Sequence, residues 1–541
     1  MEVTEWAEEG MQKTVMWPMK SFHQDYVQQA DFLKEAVEQV KYNQENEANL
    51  YTCSNRYDGG KDSAGYFLPI FAAEMLEEGK IYTFDDGLCF QEVSFQYELS
   101  QDSTGAHTNV TVTIDAKKPR SLFCKDWFFI GNTELYHVEV IFKRGKHQIT
   151  FTNLDEDELK DIQMGGFKAY MFCDGFIDTF ISVFKTLLCF IGGLGVDPDK
   201  KIPSPHVPDY MVNANLDFLN NTMNYTPEKR DTIFVDIDES LIQSGDFLAI
   251  MRLDGLDPII MYGSGSHAGH STMALRFDGD LYIVESQDAW YWPKHNIQRT
   301  PYREWIQYAQ NCDFHVVHMP LSPENRAKFN ETAAQEFFNK TEGDPYGYYN
   351  FLFGWIDTPQ DNYPPLLPSY FAPIAFSIVG KIAPSVLDIF LLQAMNHRLG
   401  TYGLDMEQVA ATAADRGLTV DDLMAQVEVD GWLYSGVQPR NTTSYVCSSY
   451  VSALYSAAGL YDNNTVYGTE MSPRDVYTLN LFDLNYTRPD ECVQADPDSQ
   501  WCQILGKYRL TFPGYSTVDV YDHMAETCPT LAPDYFRPDG C

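Results

Sequence analysis

Hydrophobic and polar positions alternate along the first third of the chain with the period of two that indicates β-strands. One such run is centred on residues 93–99 and another on residues 110–114. A third run, residues 136–142, continues through an Arg-Gly pair into residues 149–151, which predicts a hairpin. We therefore expect an antiparallel β module in this part of the chain.

Helical spacing comes before this module. Apolar residues recur every three to four positions over residues 26–47, and a second, short helix is expected over residues 69–78, ending at Gly79. A Pro-rich, polar stretch opens the linker that we place at residues 198–231. Residues 1–197 are thus expected to be an N-terminal helical and β-rich module.

A second set of elements follows the linker. A strand is predicted to begin near residue 247, and the predicted strands 270–277 and 280–286 flank an Asp-Gly pair, a strong two-residue turn signal. Small and apolar residues at helical spacing predict a helix over residues 446–458. The mixture of helices and antiparallel strands predicts the fold class α+β.

Domain boundaries follow from these elements and from composition. We assign residues 232–490 to one domain with a helical insert at about 356–440, and residues 491–541 to a disulfide-rich C-terminal tail. The insert is unusually apolar before residue 395. It is expected either to lie beside or over a cleft as a lid or to add core to a larger domain.

Composition and charge exclude some partners. The chain has 541 residues, 44% of them hydrophobic, and can bury a sizeable core. Its formal net charge of −39 repels phosphate backbones, so no nucleic-acid partner is expected. Charges interrupt the apolar stretch 175–196 and prolines interrupt 362–380, so no transmembrane segment is expected.

The eleven cysteines contain no CxxC pair, so the usual zinc spacing is absent and no metal site is expected. No other cofactor is expected either. Their odd number leaves one thiol free after complete pairing, and we expect that thiol to be Cys447. The other ten are expected to form five disulfides. These candidates are Cys53, Cys89, Cys124, Cys173, Cys189, Cys312, Cys492, Cys502, Cys528 and Cys541.

Eight N-x-[ST] sequons occur where roughly three are expected by chance. Together with the cysteines they indicate a secreted or lumenal protein, which means extracellular, lysosomal or vacuolar. The N-terminal residues lack the basic and apolar regions of a signal peptide, so we expect a signal to be absent from this chain. The candidate glycosylation sites are Asn109, Asn220, Asn224, Asn330, Asn339, Asn441, Asn463 and Asn485.

Cys447 is the candidate nucleophile because it falls in the first turn of a predicted helix, with Thr and Ser residues before it as caps. Exposed amides and the helix dipole favour a thiolate at such a position. A buried structural cysteine is the alternative interpretation.

His270 is the candidate base. If the Asp-Gly loop has two residues, Phe277 pairs with Asp280, and His270, Glu285 and Gln287 share one face of the hairpin. Glu285 then lies diagonally across from His270 and Gln287 directly across, so either can hold the imidazole in one tautomer. His267 lies in the Gly-Ser loop before this strand and is the second candidate.

Several segments in a fixed order carry a family resemblance. They are Gly245-Asp246 before a strand, Gly269-His270 leading a strand, Glu285-Ser286 ending one, Trp290-Tyr291-Trp292-Pro293 with Pro301–Trp305, Asp344-Pro345-Tyr346-Gly347-Tyr348, and Tyr445-Val446-Cys447-Ser448-Ser449. In this order they resemble the permuted branch of the NlpC-type papain-like hydrolases, to which the lecithin:retinol acyltransferase-like proteins are structurally related. The resemblance covers about residues 240–350 and 440–460.

The resemblance implies a circularly permuted papain-like domain with a thiol mechanism. His270 takes the proton of Cys447, and the thiolate forms a thioester acyl-enzyme that water or another acceptor resolves. The oxyanion would meet the backbone amide of Cys447 or Ser448 and one further donor, with Tyr346 and Tyr348 as candidates. The family motif Ser-His-Val-Gly fits His267 by its letters, whereas the strand position fits His270.

Three functions remain open at this point. The first is a thiol hydrolase that cleaves a peptide or isopeptide bond. The second is an acyltransferase or lipid hydrolase with the same dyad. The third is an inert adhesive or structural glycoprotein whose β module binds a protein or glycan partner.

Overall fold

The chain divides into two compact units in the computed structural model. Unit 1 comprises residues 1–185 and 367–387, and unit 2 comprises residues 186–366 and 388–541. The structure describes residues 70–172, 206–287, 296–347, 387–423 and 445–524, apart from short gaps inside these ranges. Helices and antiparallel sheets occur together, which confirms the α+β class.

Unit 1 is built from two antiparallel sheets. In chain order its described elements are β1 (Ile70–Met75), β2 (Tyr82–Phe84), β3 (Phe90–Gln101), β4 (Thr108–Pro119), β5 (Asp126–Gly131), β6 (Tyr136–Ile141), β7 (Gly145–Leu154), α1 (Glu156–Gly165) and β8 (Phe167–Phe172). One sheet has the order β1-β8-β5-β6 and the other β2-β3-β4-β7. A single hydrophobic core joins them, and Phe95 contacts Phe128 edge-on at 5.3 Å between ring centroids.

Two expectations for this unit are wrong. The short helix expected over residues 69–78 is strand β1, because pairing with β8 satisfies its backbone groups. The expected hairpin of residues 136–151 does not form, since β6 pairs with β5 while β7 pairs with β4 in the other sheet. The connection after Ile141 therefore crosses between sheets. The helix expected over residues 26–47 lies outside the described residues.

Unit 2 is built around a six-stranded antiparallel sheet. Its strands are β9 (Phe247–Met251), β10 (His270–Phe277), β11 (Asp280–Ser286), β12 (Ile297–Pro301), β13 (His315–Met319) and β14 (Cys502–Leu505), in the spatial order β12-β11-β10-β9-β13-β14. The described helices are α2 (Asp209–Met223), α3 (Leu256–Ser264), α4 (Tyr302–Asn311), α5 (Pro323–Lys328), α6 (Glu331–Thr341), α7 (Gln393–Leu399), α8 (Met406–Asp415), α9 (Cys447–Ala457), α10 (Pro473–Thr478) and α11 (Asp490–Ala495).

Both faces of this sheet carry a hydrophobic core. Ala249 and Leu454 belong to the core on the face that packs against α9, and Ile250 and Trp305 belong to the core on the opposite face, where α4 packs. Strand β9 is consequently buried along its whole length. This explains why it reads as a continuous apolar run rather than as an alternating one.

The hairpin of β10 and β11 has the predicted register. Phe277 pairs with Asp280, and the two loop residues Asp278 and Gly279 have φ angles of 52° and 93°. Two positive φ angles in a two-residue loop define a type I′ turn, whose twist matches that of the strands. This register confirms that His270 and Glu285 lie on the same face of the hairpin.

Part of the expected C-terminal tail, residues 502–505, belongs to the sheet. Strand β14 pairs with β13, and the buried Arg230 donates to the carbonyls of Gln503 and Gly506. Helix α2 likewise occupies part of the expected linker. The disulfide between Cys492 and Cys502 is present.

The described part of the insert is helical, with α7 and α8 joined by a short loop. The buried Asn396 holds this loop, since its side chain donates to the Leu404 carbonyl and accepts from the Leu404 amide. The more apolar residues 356–386, on which the lid expectation depends, lie outside the described residues. Among the helices that the structure describes, none has the length and apolar character needed to cross a bilayer.

We expect opposite effects from two Gly→Ala substitutions in unit 2. An added Cβ meets no atom within 4 Å at either Gly279 or Gly263, but only Gly279 has a positive φ. Gly279→Ala should lower the free energy of unfolding by about 1 kcal/mol through backbone strain. Gly263→Ala, in helix α3, should raise it by about 0.5–1 kcal/mol. Urea denaturation of the two variants checks this, and equal effects would contradict the turn assignment.

Candidate active site

Cys447 is the first residue of helix α9. Val446, in extended conformation, is the N-cap and supplies no side-chain hydrogen bond. The Thr and Ser residues expected as caps lie outside the described residues. The thiol is free and almost completely buried. Amides of the first turn have no partner within a helix and point towards its N-terminus, so Cys447 lies where negative charge is favoured.

His270 is the first residue of β10 and pairs with Ile250 of β9. Its Nε2 atom lies 3.0 Å from Oε2 of Glu285, which is completely buried near the end of β11. The diagonal relation between these two residues follows from the hairpin register. A buried carboxylate at this distance fixes the orientation of the imidazole.

The thiol of Cys447 lies close enough to the His270 imidazole for the two groups to be coupled electrostatically. Because Nε2 faces Glu285, Nδ1 is the nitrogen left for the sulfur. Burial alone would lower the pKa of His270, but the charge of Cys447, together with the charge and hydrogen bond of Glu285, raises it to about 10. The three residues therefore form one buried, charge-coupled chain.

Trp305 is a contact of this chain that the sequence did not single out. Its indole Nε1 donates to Oε1 of Glu285 at 3.0 Å, and the side chain is completely buried in helix α4. It lies in the same hydrophobic core as Ile250 and Ile283, on one face of the sheet. In the sequence, Trp305 stood at the end of the Pro301–Trp305 segment of the family resemblance, which assigned it no role.

A second carboxyl group lies next to the dyad. An added Cβ on Gly269 would lie 2.6 Å or less from three atoms of the Asp257 side chain, so only glycine fits there. Burial, with a further contribution from Asp254, raises the pKa of Asp257 to about 8. Its Oδ2 accepts the backbone N–H of Arg252. Gly269 thus lets the Asp257 side chain pack against the backbone directly before His270.

The structure places His267 elsewhere. Its Nδ1 lies 2.8 Å from the Thr511 carbonyl, and its ring stacks on Tyr225 with centroids 3.9 Å apart. Burial lowers the pKa of His267 to about 4. His267 therefore joins the loop before β10 to the C-terminal segment, and His270 is the histidine that meets Cys447.

The remaining candidates surround the start of α9. Tyr346 is buried and forms a parallel β-bridge with Tyr445, whose carbonyl accepts from the Ser286 hydroxyl at 2.7 Å. Gln287 is buried, and its backbone N–H donates to the Asn296 carbonyl. Of the two candidates for orienting His270, Glu285 is the one whose side chain contacts the imidazole. Ser448 is completely buried in the first turn. Tyr348 lies outside the described residues.

One disulfide expectation is wrong. Cys312 is a free, buried thiol, and burial raises its pKa to about 12. With Cys312 and Cys447 free, the remaining nine cysteines can form at most four disulfides. Cys89 is disulfide-bonded, as expected. The other candidates, Cys53, Cys124, Cys173, Cys189, Cys528 and Cys541, lie outside the described residues.

The sequon asparagines of unit 2 are accessible in the structure. Those that are exposed are Asn220, Asn224, Asn330, Asn339, Asn463 and Asn485. Asn109 of unit 1 is partly buried, and Asn441 lies outside the described residues. The described asparagines of unit 2 therefore leave room for a glycan.

A second buried pair of histidine and carboxylate occurs at the opposite end of β9. Nε2 of His318 lies 2.8 Å from Oδ2 of Asp246, and Arg326 pairs with the other carboxylate oxygen. Burial alone would raise the pKa of Asp246, but His318 and Arg326 lower it. The backbone N–H groups of Gln243 and Leu321 also donate to Asp246. This cluster joins two loops and has a structural role.

In the described part of the chain, no group of three or more His, Cys, Asp or Glu residues is arranged to hold a metal ion. No protein-family model, no curated protein and no solved structure matches the chain.

The two histidines give a direct test of the site. We expect His270→Ala to slow the alkylation of Cys447 by iodoacetamide at pH 6 by at least about tenfold, because the thiol loses its proton acceptor. His267→Ala should leave that rate within about twofold, since His267 contacts Thr511 and Tyr225 instead. The reverse ranking would identify His267 as the base.

Proposed function

We propose that unit 2 is a papain-like cysteine hydrolase that cleaves an amide bond, either a peptide or an isopeptide bond. The observation that carries this proposal is the buried His270 imidazole, which is hydrogen-bonded to Glu285 and coupled by charge to the free thiol of Cys447. An activated nucleophile requires a base within hydrogen-bond reach and a third group that orients the base. All three are present here, in the order that a thiol mechanism requires.

In this mechanism the dyad reacts as an ion pair. The Cys447 thiolate attacks the carbonyl carbon, and the electron pair of the C=O bond moves onto oxygen. The oxyanion lies at the N-terminus of α9, where the amides of Cys447 and Ser448 can donate. His270 then gives its proton to the leaving nitrogen, the C–N bond breaks, and a thioester remains. Water, deprotonated by His270, hydrolyses the thioester and releases the acid.

The energetics of burial also support a catalytic role. Removing a carboxylate and an imidazolium from water costs several kcal/mol per ion before their attraction is counted. Apolar side chains of similar volume would fill the same space without that cost. Buried charges with a strongly shifted pKa occur preferentially at functional sites. Cys312 illustrates the alternative, because it is a buried thiol whose pKa burial raises.

A secreted or lumenal location is part of the proposal. The disulfide between Cys492 and Cys502 is typical of oxidising compartments. Exposed sequon asparagines in unit 2 are consistent with passage through a compartment where glycans are attached. A free nucleophilic thiol in such a setting occurs in many thiol hydrolases.

The two free thiols provide the central test of the enzyme proposal. Cys447 is 2% exposed and Cys312 is 1% exposed, so a difference in their labelling reports chemistry rather than access. Iodoacetamide at pH 6 should label Cys447 faster than a simple thiol and leave Cys312 unlabelled until the protein is unfolded. Peptide mapping by mass spectrometry identifies the labelled residue. Equal labelling of both thiols would refute the proposed nucleophile.

The same labelling experiment distinguishes between the possible reactions. We expect electrophiles on a peptide scaffold to label Cys447 faster than electrophiles on a long acyl chain. Faster labelling by the acyl series would indicate an acyltransferase or a lipid hydrolase. An unreactive Cys447 with all probes would favour an inert glycoprotein. Cys447→Ala is the control for labelling elsewhere in the chain.

Glycan attachment tests the location. Produced in a secretory host, the protein should lose mass when peptide N-glycosidase removes its glycans. Thr332→Ala should abolish the glycan on Asn330 while leaving that side chain free to accept from the Ala333 amide and cap α6. Unchanged thermal stability with one glycan fewer is the expected result. No change in mass on enzyme treatment would contradict a secreted or lumenal location.

A further inference from the structure

Glu285 is the buried group on which the geometry of the dyad depends. Its side chain is completely buried, and each carboxylate oxygen has a different donor. His270 Nε2 lies 3.0 Å from Oε2, and Trp305 Nε1 donates to Oε1 at the same distance. The indole therefore holds the oxygen that the imidazole does not.

We infer that Trp305 is a positioning residue of the dyad, which holds the Glu285 carboxylate in the orientation that His270 requires. The inference rests on the proposed function, because it assigns Trp305 a role through the residue that orients the base. A planar carboxylate with one fixed donor on each oxygen cannot rotate without breaking a hydrogen bond.

The surroundings of Trp305 make its indole a rigid donor. Helix α4 packs against β11 and β12, the strand of Glu285 and its neighbour. Tyr302 and Ile306 on the same helix are buried in the same core. Because the close-packed core surrounds the indole ring, the N–H group of Trp305 points in one fixed direction. A phenyl ring at this position would fill most of the volume without donating.

Burial of an indole does not by itself bring a partner to its N–H group. Trp127 in unit 1 is also buried, and among the described residues its Nε1 has no hydrogen-bond partner. Buried polar groups are usually satisfied, so a satisfied indole is the common case. The unusual feature of Trp305 is the group that accepts its hydrogen bond, because this group is the Glu285 carboxylate that also contacts His270.

The consequence of removing the donor is a weaker interaction between Glu285 and His270. With Oε1 unpaired, the carboxylate can rotate, and its hydrogen bond to the imidazole is no longer held in place. Since that hydrogen bond helps to raise the pKa of His270, the pKa falls. Since the thiolate of Cys447 depends on proton transfer to His270, its alkylation then requires a higher pH.

The decisive experiment replaces Trp305 by β-(3-benzothienyl)alanine, in which sulfur takes the place of the indole N–H. This residue keeps the shape of tryptophan, so the variant tests the donor rather than the packing. In the Cys447→Ala protein, NMR titration of labelled histidine should show the pKa of His270 lowered by about one unit on replacement. The same replacement at Trp501, buried elsewhere in unit 2, is the matched control and should leave the His270 titration unchanged.

A kinetic arm uses the complete chain with Cys447 present. With the analogue at position 305, the rise of the iodoacetamide labelling rate with pH should move up by about one unit. At pH values below that rise, the shift corresponds to about tenfold slower labelling. In the Glu285→Gln background the replacement should have no further effect, because the two residues act through one hydrogen bond.

The outcomes separate the inference from the proposed function. An unchanged His270 titration in the analogue protein overturns the role of Trp305, whatever the reactivity of Cys447. If wild-type Cys447 reacts no faster than a simple thiol, the enzyme proposal fails. The NMR arm still decides the inference in that case, because it contains no Cys447. Trp305→Phe also removes the donor and uses a standard amino acid, so both the NMR titration and the labelling experiment can be repeated with it.

Discussion

The completely buried Glu285 side chain constrains much of unit 2. A completely buried carboxylate is stable only where donors surround it, and these donors come from different elements of the fold. His270 reaches it from β10 because the Asp278-Gly279 turn sets the register of the hairpin. Trp305 reaches it from α4, which packs on the same face of the sheet. The sheet, the turn and the helix thus all have to be in place before the carboxylate is accommodated.

Unit 2 contains two buried pairs of histidine and carboxylate, and the groups next to each pair determine what it can do. His318 and Asp246 are completely buried, and Arg326 compensates the carboxylate, which joins loops at one end of β9. At the other end, the partner of the His270 imidazole is the thiol of Cys447. An arginine keeps a charge fixed, whereas a thiol can exchange its proton with the imidazole. The second arrangement has a group that can react, and the first has none.

Sequence alone predicted the features that depend on local chemistry. The Asp-Gly turn, the limits of β10 and β11 and the helix that starts at Cys447 follow from short-range patterns, and the diagonal contact of His270 with Glu285 follows from strand parity. Features that depend on distant segments were missed. The partners of His267 come from Thr511 and Tyr225, and β1 is a strand only because β8 lies beside it. Trp305 and the free thiol of Cys312 belong to the same class, since tertiary packing decides both.

The late position of strand β14 in the sequence determines when unit 2 can complete its folding. It lies at the edge of the sheet beside β13, although much of the chain separates the two in sequence. During synthesis, β9 to β13 are complete long before β14 leaves the ribosome, so β13 presents an unpaired edge for that interval. Helix α9 also emerges after most of the sheet. Cys447 and His270 are therefore brought together late, and a nascent or truncated chain that lacks β14 carries His270 without a finished sheet to hold it.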